Sequence, residues 1–175
     1  MIFRHATIND ISVLISLLNR SYRGESSRAG WTSEADLLSG KRIDEAGMLQ
    51  LFNDPDSRIL IAQINDVIIA TIHAHRENDT VHFGLFAVEP TLQGNEIGKA
   101  LLSYAESEAH HTWGINTAIM EVIAYRAELI HYYERRGYQR TGKMIPFPES
   151  DLWNKKVDSL ELAVMSKNLK SIDSW

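Results

Sequence analysis

The sequence predicts a single α/β domain in which a mixed, mostly antiparallel sheet is flanked by helices. Three observations lead there. Arg58 to Gln63, Val67 to His75 and Thr80 to Val88 are rich in Ile and Val, and the breaks at Asn65-Asp66 and Asn78-Asp79 are turn-prone pairs, which is the pattern of an antiparallel meander. Ile97, Leu101, Leu102, Ala105 and Ala109 then keep apolar side chains on one helical face through His111. From Thr117 onward the chain reads strand, helix, strand: Thr117 to Ala124, Ala127 to Arg136 with Gly137 as its stop, and Tyr138 to Thr141.

The remaining elements follow in order. After a short opening strand, Thr7-Ile8-Asn9-Asp10 has the form of a capping box, and Ile11, Leu14, Ile15 and Leu18 recur at helical spacing, giving a first helix to about Tyr22. Arg23 to Lys41 is rich in Gly, Ser and charge, carries Trp31, and offers at most a short helix capped by Thr32 or Ser33; it is the first candidate lid. Ile43 to Phe52 is helical and stops near Asp54-Pro55, because the residue before proline is pushed out of the α region. Gly142 to Asp158 holds Pro146, Pro148 and Trp153 without clear periodicity, a connection long enough to be functional. Ser159 to Met165 closes as a strand. Residues 1–168 are expected to form the domain and 169–175 a C-terminal tail.

Composition narrows the classes of function. With 175 residues, 44% hydrophobic and 23% charged, the chain can build one core that buries roughly 70% of the unfolded surface, and it is neither disordered nor membrane-spanning in character. A net charge of −5 lacks the basic footprint that phosphate backbones or anionic lipid require, so no nucleic acid and no membrane partner is expected. The same charge leans toward a cationic small partner through steering. Having no cysteine, the chain has no disulfide framework, thiolate metal site or cysteine nucleophile, which fits a reducing, cytoplasmic setting. The opening Met1-Ile2-Phe3-Arg4-His5 lacks a signal-peptide apolar core.

Between Val88 and Leu101 a glycine-bearing turn joins a strand to the start of a helix, and such a turn aims free backbone N–H groups and the positive end of the helix dipole at a bound anion. It is not a Walker A loop: Gly94 and Gly98 are three residues apart, and Ala100 stands where a Ser or Thr would hold magnesium. Nor is it G-x-G-x-x-G. It resembles the GNAT superfamily of acyl-CoA-dependent N-acyltransferases, whose pyrophosphate arm reads Gln/Arg-x-x-Gly-x-Gly/Ala after a strand ending in Val-x-Pro. Gln93, Ile97 and Gly98 match this arm, while Glu96 occupies its first glycine and brings a carboxylate toward the expected diphosphate. Tyr125 to Tyr138 resembles the other family signature, a helical tyrosine followed four residues on by glycine and an aromatic, met here by Tyr133, Gly137 and Tyr138. Arg126 stands where many relatives have an Asn, and an arginine suits phosphate. The resemblance extends over nearly the whole chain, with its specific motifs in 88–101 and 126–138.

The resemblance implies direct transfer, in which an amine attacks the acetyl-CoA thioester, a tetrahedral oxyanion forms and the thiolate leaves. Acetyl-CoA is the implied cosubstrate and no metal is needed. Backbone groups of Phe86, Ala87 and Val88 would hold the acyl and pantetheine parts on a strand splayed from its neighbour, and an N–H there would stabilise the oxyanion. Gln93, Gly94, Asn95, Glu96, Ile97, Gly98 and Lys99 would face the diphosphate, with Arg126 reaching pantetheine or phosphates. Tyr133 is the candidate general acid. For the base, Glu121 stands on a strand otherwise apolar on both faces, where burial would raise its pKa; His82, placed by period two on the face of Phe86, is the alternative. His73 and His75 share a strand face, but no carboxylate has the spacing to complete a metal site with them. Trp31, Trp153 and Pro146-Phe147-Pro148 lie in the two irregular regions where relatives build the acceptor site. The expected partner is a small-molecule or peptidyl amine, with a homodimer left open. Two rival readings share the fold: a non-catalytic acyl-CoA sensor, and an interaction domain that does not bind CoA.

Overall fold

A computed structural model of the chain describes residues 1–22, 38–40, 42–94, 96–155 and 160–170, with the backbone alone described for 38–40 and 153–155. Its elements are β1 (Ile2–His5), α1 (Ile11–Tyr22), β2 (Leu38–Gly40), α2 (Glu45–Asn53), β3 (Ser57–Ile64), β4 (Val67–Glu77), β5 (Thr80–Val88), α3 (Ile97–Trp113), β6 (Thr117–Ile123), α4 (Ala127–Glu134), β7 (Gln139–Pro146), β8 (Trp153–Lys155) and β9 (Glu161–Asn168). Seven strands form one sheet in the order β1-β3-β4-β5-β6-β9-β7. Its pairings are antiparallel except the parallel contact of β5 with β6. The mixed, mostly antiparallel α/β domain read from the sequence is the observed one.

Turn chemistry sets the meander. Asn65 and Asp66 both take left-handed dihedrals, φ 50 and 65, as a tight two-residue hairpin turn requires. Period-two alternation then divides each strand between two cores. Ile59 and Ile61 of β3 pack with Ile11, Leu14 and Leu18 of α1 and Met48 of α2 on one face. Leu60 and Ala62 pack with Leu101, Leu102 and Ala105 of α3 and Ile130 of α4 on the other. Asp44 caps α2 by accepting from the Gly47 N–H, and Asp54 ends it at φ −86, ψ 118, the extended conformation that Pro55 imposes.

A bulge in β5 matters most for the site. The register with β4 passes from Thr71↔Ala87 to His73↔Gly84, so β5 carries one residue more than its partner, and Leu85 absorbs it at φ 45. The extra residue flips the alternation. Val81 and Phe83 face the α3 side before the bulge; Phe86 and Val88 face it afterwards, while Leu85 and Ala87 turn to α1 and α2. His82 is therefore not on the face of Phe86, a correction to the period-two reading that no bulge-free count could supply.

The ladder between β5 and β6 runs from Thr80↔Thr117 to Phe83↔Met120 and ends there, although both strands continue. The strands splay beyond that point. A buried ion pair braces the structure nearby: Lys167 Nζ is 2.9 Å from Glu106 Oε1, and the Tyr138 hydroxyl donates to Glu106 Oε2 at 2.8 Å. Burial pushes the Glu106 carboxyl above the usual range, and Lys167 and Tyr138 oppose that push. Gly137 reverses the chain between α4 and β7 at φ 96, with a built Cβ only 3.2 Å from Lys167 Cε, so both the dihedral and the space call for glycine.

Strand structure is present in the described parts of both irregular regions. β7 extends to Pro146, and β8 pairs antiparallel with β2 in a separate two-stranded sheet, Gly40 opposite Trp153. Trp31 and most of the candidate lid, the side chain of Trp153, Asn95 and residues 171–175 of the expected tail lie outside the described residues.

Candidate active site

Two cavities, of about 490 and about 240 Å³, share Phe86, Leu129 and Tyr133 in their walls. They lie where β5 leaves β6. The Phe86 carbonyl accepts from the Tyr22 hydroxyl at 2.6 Å, and the Val88 carbonyl accepts from Gln93 Nε2 at 3.2 Å. Both carbonyls thus point away from β4, whereas the Glu89 N–H donates back to Ile69 of β4. Because N–H and C=O of one strand residue point the same way, the Phe86 and Val88 N–H groups also turn into the splay. Ala87, 1% exposed, instead buries its side chain against α1 and α2.

The smaller cavity is lined by Val88, Gln93, Gly94, Glu96, Ile97 and Gly98 at the head of α3, facing Tyr132, Arg135 and Arg136 at the tail of α4. Gly98 is fitted to this wall: a Cβ there would sit 3.0 Å from the Tyr132 hydroxyl and 3.5 Å from Phe86. Glu96 caps α3 at φ 61, ψ 11, a left-handed conformation, and is itself exposed. It forms part of the smaller cavity's rim; burial above all raises the Tyr132 hydroxyl pKa, Arg136 opposes it, and the Glu96 charge adds the least of the contributions. Lys99 is exposed and outside the cavity walls.

The larger cavity holds Glu121, His82 and Arg126, together with Tyr22, Arg42, Asp54, His73, His75, Phe147 and Pro148. Glu121 is not buried as its apolar strand suggested; its side chain is 41% exposed, because β6 has lost its β5 neighbour at that position and the face opens on the cleft. His82 lies between two carboxylates, Nε2 3.4 Å from Glu77 and Nδ1 3.9 Å from Glu121. Arg126, side chain 11% exposed, bonds Glu128 through Nε at 2.8 Å and opens on this cavity instead of the smaller one. Asp54 approaches His75 at 3.4 Å, a carboxylate the sequence spacing did not anticipate, but among the described residues no group of three or more such side chains could hold a metal. No helix among them is long and apolar enough to cross a membrane.

The Acetyltransferase (GNAT) family model matches residues 14–138, a span that contains both motifs and nearly all of the cleft. The chain belongs to this family. An IAA acetyltransferase of Azospirillum brasilense is 29% identical over 101 residues, a stretch covering 57% of this chain and 65% of that protein, just under two thirds of its length. Among solved structures, smu.2055 from Streptococcus mutans UA159 superposes with a TM-score of 0.76 at 16% identity, over 97% of this chain and all of that one. The yncA protein of Salmonella typhimurium, solved with its cofactor acetyl-CoA, gives 0.70 at 18% identity, over 97% and 94%. At these identities the structures speak for the fold.

In this GNAT chain Tyr133 stands between the cavities, 5% exposed, with its ring 6.3 Å from Phe86, 5.3 Å from Tyr132 and 6.0 Å from Tyr138. Burial above all, then the neighbouring Tyr22 and Tyr132 hydroxyls, push its pKa well above the ordinary tyrosine value, so it stays protonated across the neutral range. Sequence reading missed the cations of the smaller cavity. Arg136 lies with Cζ 3.7 Å from the Tyr132 ring centroid, donates through Nη1 to the Tyr132 carbonyl, and keeps a buried Nε without a hydrogen-bond partner. A signal for it existed: Leu129, Tyr132, Tyr133 and Arg136 follow i, i+3, i+4, i+7 and line one wall.

Proposed function

We propose that this protein transfers the acetyl group of acetyl-CoA directly to the amine of a small-molecule or peptidyl acceptor in the cytoplasm. The observation that carries this is the splayed end of β5, where the Phe86 and Val88 N–H groups face a cleft closed by Tyr133 and continuous with a narrow arginine-walled cavity. The residues present fit the cosubstrate. Gly94, with open space where a Cβ would stand, and the first turn of α3 leave room for a diphosphate, and Arg135 and Arg136 supply the positive charge that Glu96 subtracts.

Acetyl-CoA supplies an activated thioester; the chain supplies placement and proton handling. Phe86 N–H is positioned for charge that develops on the acyl oxygen, the kind of fixed dipole that contributes a few kcal/mol. Tyr133 offers its hydroxyl to the departing sulfur. On the acceptor side, His82 with Glu121 takes the proton of the amine, directly or through water, since an amine is mostly protonated near neutral pH. Protein incubated with acetyl-CoA and a panel of amines is expected to release thiol only when protein and a suitable amine are both present. Acetyl-CoA binding without release for any amine would favour the sensor, and absence of binding would favour the interaction domain.

A further inference from the structure

Asn19, Arg20 and Tyr22, all in the last turn of α1, tie that helix end to its surroundings. Asn19 Oδ1 accepts from the Arg42 N–H at 2.6 Å, and its Nδ2 donates to the Ile43 carbonyl at 2.9 Å. Arg20 pairs with the carboxylate of Glu89, just past the end of β5. Tyr22 reaches the backbone of β5 itself, donating to the Phe86 carbonyl at 2.6 Å.

Tyr22 meets β5 where neither ladder runs. Pairing with β4 fixes β5 at Gly84, opposite His73, and again at Ala87, opposite Thr71, so that Leu85 and Phe86 share Ile72 across from them. Leu85 is held there at φ 45, a left-handed conformation that a leucine adopts only when its surroundings impose it. On the other side the ladder to β6 has already ended at Phe83. The bond from Tyr22 therefore does at Phe86 what a neighbouring strand does elsewhere. Because the N–H and C=O of one strand residue share a direction, fixing the Phe86 carbonyl also aims its N–H. The Tyr22 ring stands in the wall of the larger cavity with Arg42 Cζ 5.5 Å from its centroid. After burial, Tyr22 is the next largest cause of the raised Tyr133 pKa, which places the two tyrosines together at the cleft.

Resting on the acetyltransferase reading above, we propose that Tyr22 is a positioning residue for acyl transfer: through the Phe86 carbonyl, its hydroxyl holds the Phe86 N–H on the oxygen that becomes negative as the amine nitrogen bonds to the acyl carbon. Tyr22 does not itself touch the reacting atoms. Without its bond the stretch at Leu85 and Phe86 relaxes and the N–H swings off that oxygen. A small displacement of a fixed donor weakens transition-state stabilisation while the contacts to the rest of the cosubstrate persist, so the loss falls on kcat.

Difference infrared spectroscopy on acetyl-CoA isotopically labelled at the thioester carbonyl tests this without an acceptor, because a hydrogen bond to the carbonyl oxygen lowers its stretching frequency. The unsubstituted protein is expected to show that downshift, and Tyr22→Phe to lose most of it with Kd for acetyl-CoA unchanged. Tyr133→Phe should keep it, since that hydroxyl acts at the sulfur. Arg20→Gln should also keep it, since it loosens the same helix end without touching Phe86. With an amine that gives thiol release, kcat of Tyr22→Phe should fall about tenfold at unchanged KM; a melting curve confirms that each variant is folded. An unchanged downshift or an unchanged kcat in Tyr22→Phe overturns the proposal. So does an equal loss in Arg20→Gln, or the absence of any downshift in unsubstituted protein with acetyl-CoA bound; cosubstrate binding then still stands. Failure of the unsubstituted protein to bind acetyl-CoA overturns the acetyltransferase reading and this one with it.

Discussion

Replacing Tyr133 by phenylalanine is expected to lower kcat roughly tenfold to a hundredfold and to leave acetyl-CoA affinity unchanged. The ring makes the packing contacts with Phe86, Tyr132 and Tyr138, and phenylalanine keeps those, so binding and stability should survive. What is lost is the hydroxyl. Its pKa is raised by burial, so it is a weak acid that does not ionise itself but offers a hydrogen bond to negative charge on the leaving sulfur. A CoA thiolate is not very basic, which keeps the contribution below that of a full proton transfer to an alkoxide. Stopped-flow thiol release with acetyl-CoA at saturation reads the chemical step; an unchanged kcat with intact binding removes Tyr133 from the chemistry.

Glu96→Gly is expected to raise both stability and cosubstrate affinity. At φ 61, ψ 11 the Cβ of Glu96 works against a left-handed backbone, a strain of about 1–2 kcal/mol that glycine does not have. Glycine gives back about 0.5–1 kcal/mol through the greater freedom of the unfolded chain, so the net gain is roughly 0.5–1 kcal/mol, or a few degrees in Tm. The affinity gain is separate. Removing a carboxylate from the wall of the smaller cavity should tighten CoA binding several-fold in low salt, with the gain shrinking as salt screens the site. Equal affinities at low salt would mean that the Glu96 carboxylate does not oppose the bound phosphates.

What the sequence disclosed was local. Asn65-Asp66 and Asn78-Asp79 announced the hairpins because their side chains tolerate positive φ, and Asp54-Pro55 announced the end of α2 because proline restricts its predecessor. The Gln93 to Gly98 turn and the Tyr133–Gly137 spacing were legible as motifs, and the structure brings them to opposite walls of one cavity. What stayed hidden depends on pairing at a distance. Gly84, an isolated glycine inside a strand pattern, is the one local hint of the bulge, and a period-two count that passes over it puts His82 on the wrong face. The exposure of Glu121 follows from the point at which β5 and β6 part, not from the apolar residues around it on β6. The left-handed turn at Glu96 was concealed by the residue itself, since a non-glycine side chain argues against positive φ. Arg135 and Arg136 read as an ordinary charged helix end, and become cavity walls through the packing of α4 against the head of α3.

The central claim is that the cleft at the splayed end of β5 binds acetyl-CoA, and the melting temperature with and without that compound tests it most directly. At a hundred times Kd, binding adds about 2.7 kcal/mol of apparent stability, a rise of about 5–10 °C for a domain of this size. The predicted result is a shift of that order with acetyl-CoA, nearly matched by desulfo-CoA, with a much smaller one from an adenine nucleotide that lacks the pantetheine arm. No shift at millimolar acetyl-CoA, or an equal shift from the adenine nucleotide alone, would contradict the account.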